Sequence, residues 1–127
     1  KEYYPSTSNL KLEEYKDWGK EYYESGSIKA KWTNINYLKC GDYIGYHENG
    51  QVKMTVNYND SNNRDGLMYK YFDNGKLKEL WSYVNGNRKF VKKYFGNGIL
   101  KTEWLYDDYG NEISKKYFDI NGNLIVK

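Results

Sequence analysis

Five times along this chain a small polar residue and a glycine introduce the same short phrase. Ser25-Gly26, Asn49-Gly50, Asn74-Gly75, Asn97-Gly98 and Asn121-Gly122 are each followed, one residue on, by Ile28, Val52, Leu77, Leu100 and Leu124. A lysine comes next in the first four copies, at Lys29, Lys53, Lys78 and Lys101. The glycines lie 24, 25, 23 and 24 residues apart. A period in this range is the signature of a repeat architecture, in which each unit buries its apolar face only against its neighbours. Function is therefore expected on a surface made of copies.

Reading forward from each glycine shows alternation. Leu77, Glu79, Trp81 and Tyr83 are expected on one face of a strand, with Lys78, Leu80 and Ser82 on the other. Leu100, Thr102, Trp104 and Tyr106 repeat the pattern, as do Val52, Met54, Val56 and Tyr58, and Ile28, Ala30 and Trp32. Period two with aromatic and β-branched enrichment argues for strands. Reading backward gives the partner strand, which ends in Tyr22-Tyr23, Tyr46-His47, Tyr71-Phe72 and Tyr94-Phe95. The fifth copy has Tyr117-Phe118, one residue early, as if Ile120 lengthened its loop. Asn-Gly between two such strands predicts a hairpin with a type I′ turn. A second set of turns follows at Asn85-Gly86, Tyr109-Gly110-Asn111 and Asp65-Gly66, and 59–65 reads as a polar surface loop.

The expected fold is all-β, an elongated open antiparallel meander of stacked hairpins with about ten strands, and no helix. Residues 1–127 form one domain. Within it, 22–127 carry about five repeats and 1–21 a degraded first copy that caps the stack. That copy keeps Tyr3-Tyr4 and Leu10-Lys11 but has Pro5 and no turn glycine.

Composition narrows the function. Ala occurs once, and 16 Tyr and 4 Trp supply much of the apolar area. Such rings suit surfaces that are half wet, so a thin single layer is expected. The net charge of +3 comes from 20 basic and 17 acidic residues, well interspersed. Without a block of like charges, nucleic acid is not an expected partner. No segment approaches the ~20 apolar residues of a membrane helix. The lone Cys40 cannot form an intrachain disulfide. A start at Lys1 is compatible with removal of an export signal or lipoprotein leader, or with a shortened chain.

Catalytic patterns are thin. His47, the single histidine, stands in a slot that Tyr23, Phe72 and Phe95 fill elsewhere, which assigns it to packing. The carboxylates before the turns, Glu24, Glu48, Asp73 and Asp119, belong to copies about 10 Å apart in register, too far for paired acid–base work. Asp107, Asp108 and Asn111 lack the glycine spacing and terminal Glu of a calcium loop. Nothing near Cys40 would activate its thiol. No phosphate loop or nucleophile elbow is present. No enzyme activity, metal or cofactor is expected. What remains is aromatic rings interleaved with Lys and Glu, the anchor-and-rim chemistry of a protein interface. The candidate partner-binding residues are Tyr46, Tyr71, Tyr94, Trp81 and Trp104. The same rings would also suit a stacking surface for sugars.

The phrases YYESGSIKAKW, YFDNGKLKELW and YFGNGILKTEW resemble the variant MORN repeats of bacterial proteins. The resemblance runs from about Tyr22 to Ile125. It implies an elongated antiparallel sheet without catalytic residues. It also implies a role as the antitoxin or immunity half of a toxin pair, or as an exported or lipid-anchored protein. With the aromatic rings, the first expectation is a protein-binding module that occludes a partner protein, and the alternative is an exported envelope-associated carbohydrate- or surface-binding module. The stretch 106–111 and the closing YFDINGNLI are similar to the YD repeats of large bacterial shells. The Gly-Trp opening of choline-binding cell-wall repeats is missing.

Overall fold

The computed structural model describes residues 1–125. Among these, twelve strands form one antiparallel sheet, each hydrogen-bonded to its neighbours in chain order. They are β1 (Glu2–Tyr3), β2 (Leu10–Glu14), β3 (Trp18–Tyr22), β4 (Ile28–Ile35), β5 (Leu38–Tyr46) and β6 (Val52–Tyr58) in the N-terminal half. The C-terminal half holds β7 (Gly66–Tyr71), β8 (Leu77–Val84), β9 (Asn87–Tyr94), β10 (Leu100–Tyr106), β11 (Glu112–Phe118) and β12 (Leu124–Ile125). The meander is open, and no described residue is helical. Two strands more than expected arise because the N-terminal copy folds as a hairpin of its own. Ser8 there supplies the positive φ (60°) that glycine supplies elsewhere.

The repeated turns differ from the expected type. Gly26, Gly50, Gly75, Gly98 and Gly122 have φ between 88° and 96°, but the residue before each does not have positive φ. The Gly50 amide donates to the His47 carbonyl, and the His47 amide donates to that of Gln51. This is a type I turn closed by a left-handed glycine, the three-residue hairpin loop. The Asn side chains explain the choice: Asn49, Asn74 and Asn97 accept from the amide two residues on, at 2.9–3.0 Å. The two-residue turns with positive φ at both positions lie on the other edge, at Asn85-Gly86 (49°, 84°) and Asn36-Tyr37 (51°, 68°). The fifth loop is no longer than the others. Phe118 pairs with Leu124 as Tyr94 pairs with Leu100, so Asp119 takes the ring slot that Phe95 fills.

A bulge in the first four glycine hairpins changes which residues share a face. Adjacent Lys70 and Tyr71 pair with Glu79 and Leu77, so Lys78 is the extra residue. The same shift leaves Lys29, Lys53 and Lys101 unpaired in their hairpins. Paired residues lie on one face and sequence neighbours on opposite faces. Leu77 is therefore opposite Glu79, Trp81 and Tyr83, not beside them, and Ile28, Val52 and Leu100 shift likewise. A bulge inserts one residue and kinks its strand. Here it is the lysine of the repeat phrase.

All buried positions fall on the tryptophan face. They include Ala30, Trp32, Val56, Met68, Tyr83 and Val91. Along the sheet, Gly19 pairs with Trp32, Trp32 with Tyr43 and Tyr43 with Val56. Farther on, Met68 pairs with Trp81, Trp81 with Val91 and Val91 with Trp104. A single layer thus makes its core by laying neighbouring side chains over one another. The opposite face carries no buried residue among those described.

Side chains also stitch the turns of successive repeats together. The Tyr4 hydroxyl donates to the Tyr22 carbonyl at 2.7 Å, and Tyr23 to that of Tyr46 at 2.5 Å. His47 Nε2 lies 3.0 Å from the Tyr71 carbonyl, completing the series. One repeat's Asn49 amide donates to the Asp73 carbonyl of the next at 2.8 Å.

Two loops use a carboxylate instead of a ring. Asp107 accepts from the amides of Tyr109 and Asn111, and Asp119 from those of Asn121 and Asn123, all at 2.8–2.9 Å. These backbone bonds hold both carboxyls below the usual 3.8. A carboxyl depressed by folding stabilises the native state above its unfolded pKa, and that contribution is lost as pH falls through the folded value. Urea denaturation at about pH 7 and about pH 2.5 is expected to show this. An Asp107→Ala, Asp119→Ala double variant should be weaker at neutral pH and lose less on acidification. An unchanged acid response would refute the assignment.

Candidate functional site

The bulges sort the five candidate residues onto two faces. Tyr46, Tyr71 and Tyr94 pair with Val52, Leu77 and Leu100 on the open face. Tyr22 with Ile28 and Phe118 with Leu124 extend this row in both directions. Trp81 and Trp104 belong to the packed face. No single flat surface unites all five.

On the packed face the tryptophans are occupied. Trp81 stacks on Tyr83 with centroids 6.1 Å apart, and its Nε1 donates to Glu79 at 2.7 Å. Lys70 sits over its ring at 5.5 Å. Lys93 and Lys115 lie 5.1 Å and 5.0 Å from the Trp104 ring. Cations over indole rings are attracted by the ring quadrupole, and the lysine stems cover apolar surface. These contacts make Trp81 and Trp104 parts of the packing.

The tyrosine row is less engaged. Tyr71 stacks on Tyr69 at 6.3 Å, and Lys31 lies 5.8 Å from the Tyr46 ring. Burial and the nearby Glu103 push the Tyr94 hydroxyl above its ordinary pKa of 10.0. Tyr22 is the exception: its hydroxyl donates to Glu13 at 2.8 Å, and burial first, then that bond, raises it to about 12. Tyr46, Tyr71 and Tyr94 are half-buried, with ring bodies supported by their aliphatic partners and no second layer above them. Chemically the row offers regularly spaced apolar anchors, each with a polar tip.

His47, Cys40 and Asp119 have local duties. His47 holds the next repeat's carbonyl, and Asp119 caps its own turn. The Cys40 thiol donates to Asp60 at 3.3 Å, and that carboxylate raises its pKa, the reverse of activation.

One feature escaped the reading of the sequence. On the packed face a cross-strand row runs Glu21–Ala30–Gly45–Met54–Lys70–Glu79. Its low members, Ala30 and Gly45, open a groove of about 310 Å³. The signal was present in the residue before each aromatic pair: Glu21, Lys70 and Lys93 in three hairpins, but Gly45 in the second.

Residues 39–60 and 64–85 match the family model described as MORN repeat variant. The two segments coincide with the β5–β6 and β7–β8 hairpins, and the β3–β4 and β9–β10 hairpins share their turn and bulge. That family is not an enzyme family, and its repeats often serve as interaction modules. No curated protein and no solved structure matches the chain. Among the described residues no helix is long and apolar enough to cross a membrane.

Proposed function

Because the chain carries MORN repeat variants, we propose that it is a non-enzymatic protein-binding module of the antitoxin or immunity type, occluding a working surface of its partner. The observation that supports this reading is the in-register row of Tyr46, Tyr71 and Tyr94, each beside an aliphatic residue, on a face with no covering layer. Interfaces draw most of their energy from a few such rings in a ring of polar contacts. Lys31, Lys92 and Glu103 supply that rim and set register. The packed-face rings Trp81 and Trp104 serve this role indirectly, by keeping the sheet rigid.

A photo-crosslinking residue in place of Tyr71 should capture one protein from the native cells, whereas the same residue in place of Trp81 should not. Tyr46→Ala with Tyr94→Ala is then expected to weaken binding of that protein by at least about tenfold, with the unfolding midpoint little changed. The captured protein should also lose its activity in the presence of the chain. Undiminished affinity in the double variant would refute the tyrosine row as the docking surface.

A further inference from the structure

Most glycines here have visible reasons; Gly45 and Gly96 do not, and of these Gly96 lies in an exposed turn and Gly45 inside a strand. The other turn glycines have positive φ, and a Cβ on Gly19 would lie 2.4 Å from the Trp32 ring. Gly45 has neither constraint: its φ is ordinary for a strand, and a Cβ would meet nothing closer than 3.9 Å. A side chain there would project into the groove. The fold tolerates one, so the missing side chain keeps the space open.

The walls of that space are chemically mixed. Its floor is Ala30, Gly45 and Met54, on three adjacent strands spanning about 10 Å. Tyr43 stands along one side. Along the other runs the bulge row, with Lys29, Lys53 and Lys78. Glu21 and Glu79 close the two ends, each beside a lysine, at 3.8 Å from Lys29 and 4.0 Å from Lys70. Among the described residues, neither Lys53 nor Lys78 forms an ion pair.

We propose that this groove binds a polyhydroxylated ring bearing a single carboxylate, a sugar acid of the hexuronate class. The two unpaired ammonium groups hold the carboxylate by charge-assisted hydrogen bonds. Glu21 and Glu79 can only accept, so they match hydroxyl donors at the ring's edges. A bare phosphate has neither ring hydroxyls for Glu21 and Glu79 nor an apolar face for the groove floor, which selects against it. Met54, Ala30 and the Tyr43 ring contact the apolar C–H face. The volume is at the low end of small-ligand sites, about 300–1,000 Å³. Tyr46 and Tyr71 of the tyrosine row also line the groove, so the two assignments are told apart by Tyr94→Ala, which alters the row and not the groove, and by Gly45→Leu, which alters the groove and not the row.

The test is titration of the whole chain with D-glucuronate, D-glucose and inorganic phosphate, followed by amide NMR shifts. Glucuronate is expected to bind with a dissociation constant near or below about 1 mM. It should shift Gly45 and Met54, with glucose and phosphate at least about tenfold weaker. Gly45→Leu should abolish binding with the unfolding midpoint near that of the parent. Lys53→Gln with Lys78→Gln, both at exposed positions, should weaken glucuronate by at least about tenfold and leave glucose unchanged. Absence of binding up to about 10 mM, equal binding of phosphate, or retained binding in the lysine double variant would each overturn the assignment.

Discussion

Replacing Trp32 with alanine is expected to destabilise the sheet by about 3–5 kcal/mol, the range for removing a buried aromatic ring. Trp32 is 7% exposed, the most deeply buried of the tryptophans that face the core row. It stacks on Tyr43 with centroids 5.6 Å apart, and Lys39 covers it from 4.9 Å. Beneath it lies Gly19, whose missing side chain gives the indole its place: an added Cβ would stand 2.4 Å from Cε2. Gly19→Ala should therefore cost about 1–3 kcal/mol by overpacking. In the Trp32→Ala background the same change should cost little, because the obstruction is gone. Chemical denaturation of the four variants closes the cycle. Additive losses within about 0.5 kcal/mol would show that the two positions do not share this contact.

The coupling of Gly19 to Trp32 also marks where reading a sequence runs out. The hairpins, their antiparallel order and the open sheet follow from the glycine period and from alternation, and all appear in the structure. The facing of residues does not follow so simply. A bulged lysine looks like any solvated lysine, yet Lys29, Lys53, Lys78 and Lys101 each move the preceding aliphatic residue to the other face. The candidate rings Tyr46, Tyr71, Tyr94, Trp81 and Trp104 could not be assigned to faces from the sequence because the bulge was not legible. The turn type was misjudged for a related reason. Asn-Gly fits both a two-residue I′ turn and a type I turn closed by glycine, and the side-chain bonds of Asn49, Asn74 and Asn97 select the second. Gly45 was legible in principle, by aligning the copies and asking which residue breaks the series.

The second large effect concerns the middle of the ribbon. Met68 is 1% exposed and joins Val56 to Tyr83, with Tyr43, Met54, Tyr58 and Trp81 packed around them. It sits at the seam between β6 and β7, which is registered at Met54–Lys70 and Thr55–Tyr69, with a lone bridge from Tyr58 to Arg64 beyond. By comparison β7 and β8 are registered from Gly66–Tyr83 to Tyr71–Leu77. With so short a ladder, side-chain packing must carry the coupling across the seam. Met68→Ala is expected to cost about 2–5 kcal/mol, and the loss falls on the interface between units. In a repeat array, stability is the sum of unit and interface contributions, so a weakened interface divides the cooperative unit. Hydrogen exchange should then show β1–β6 and β7–β12 opening separately, where the parent opens as one. Val91→Ala is the control: Val91 is fully buried (0% exposed), but its strand is registered along both neighbours. That variant should lose stability without dividing the transition. A single uniform opening in Met68→Ala would mean that the ladder hydrogen bonds, not the methionine, hold the two halves together.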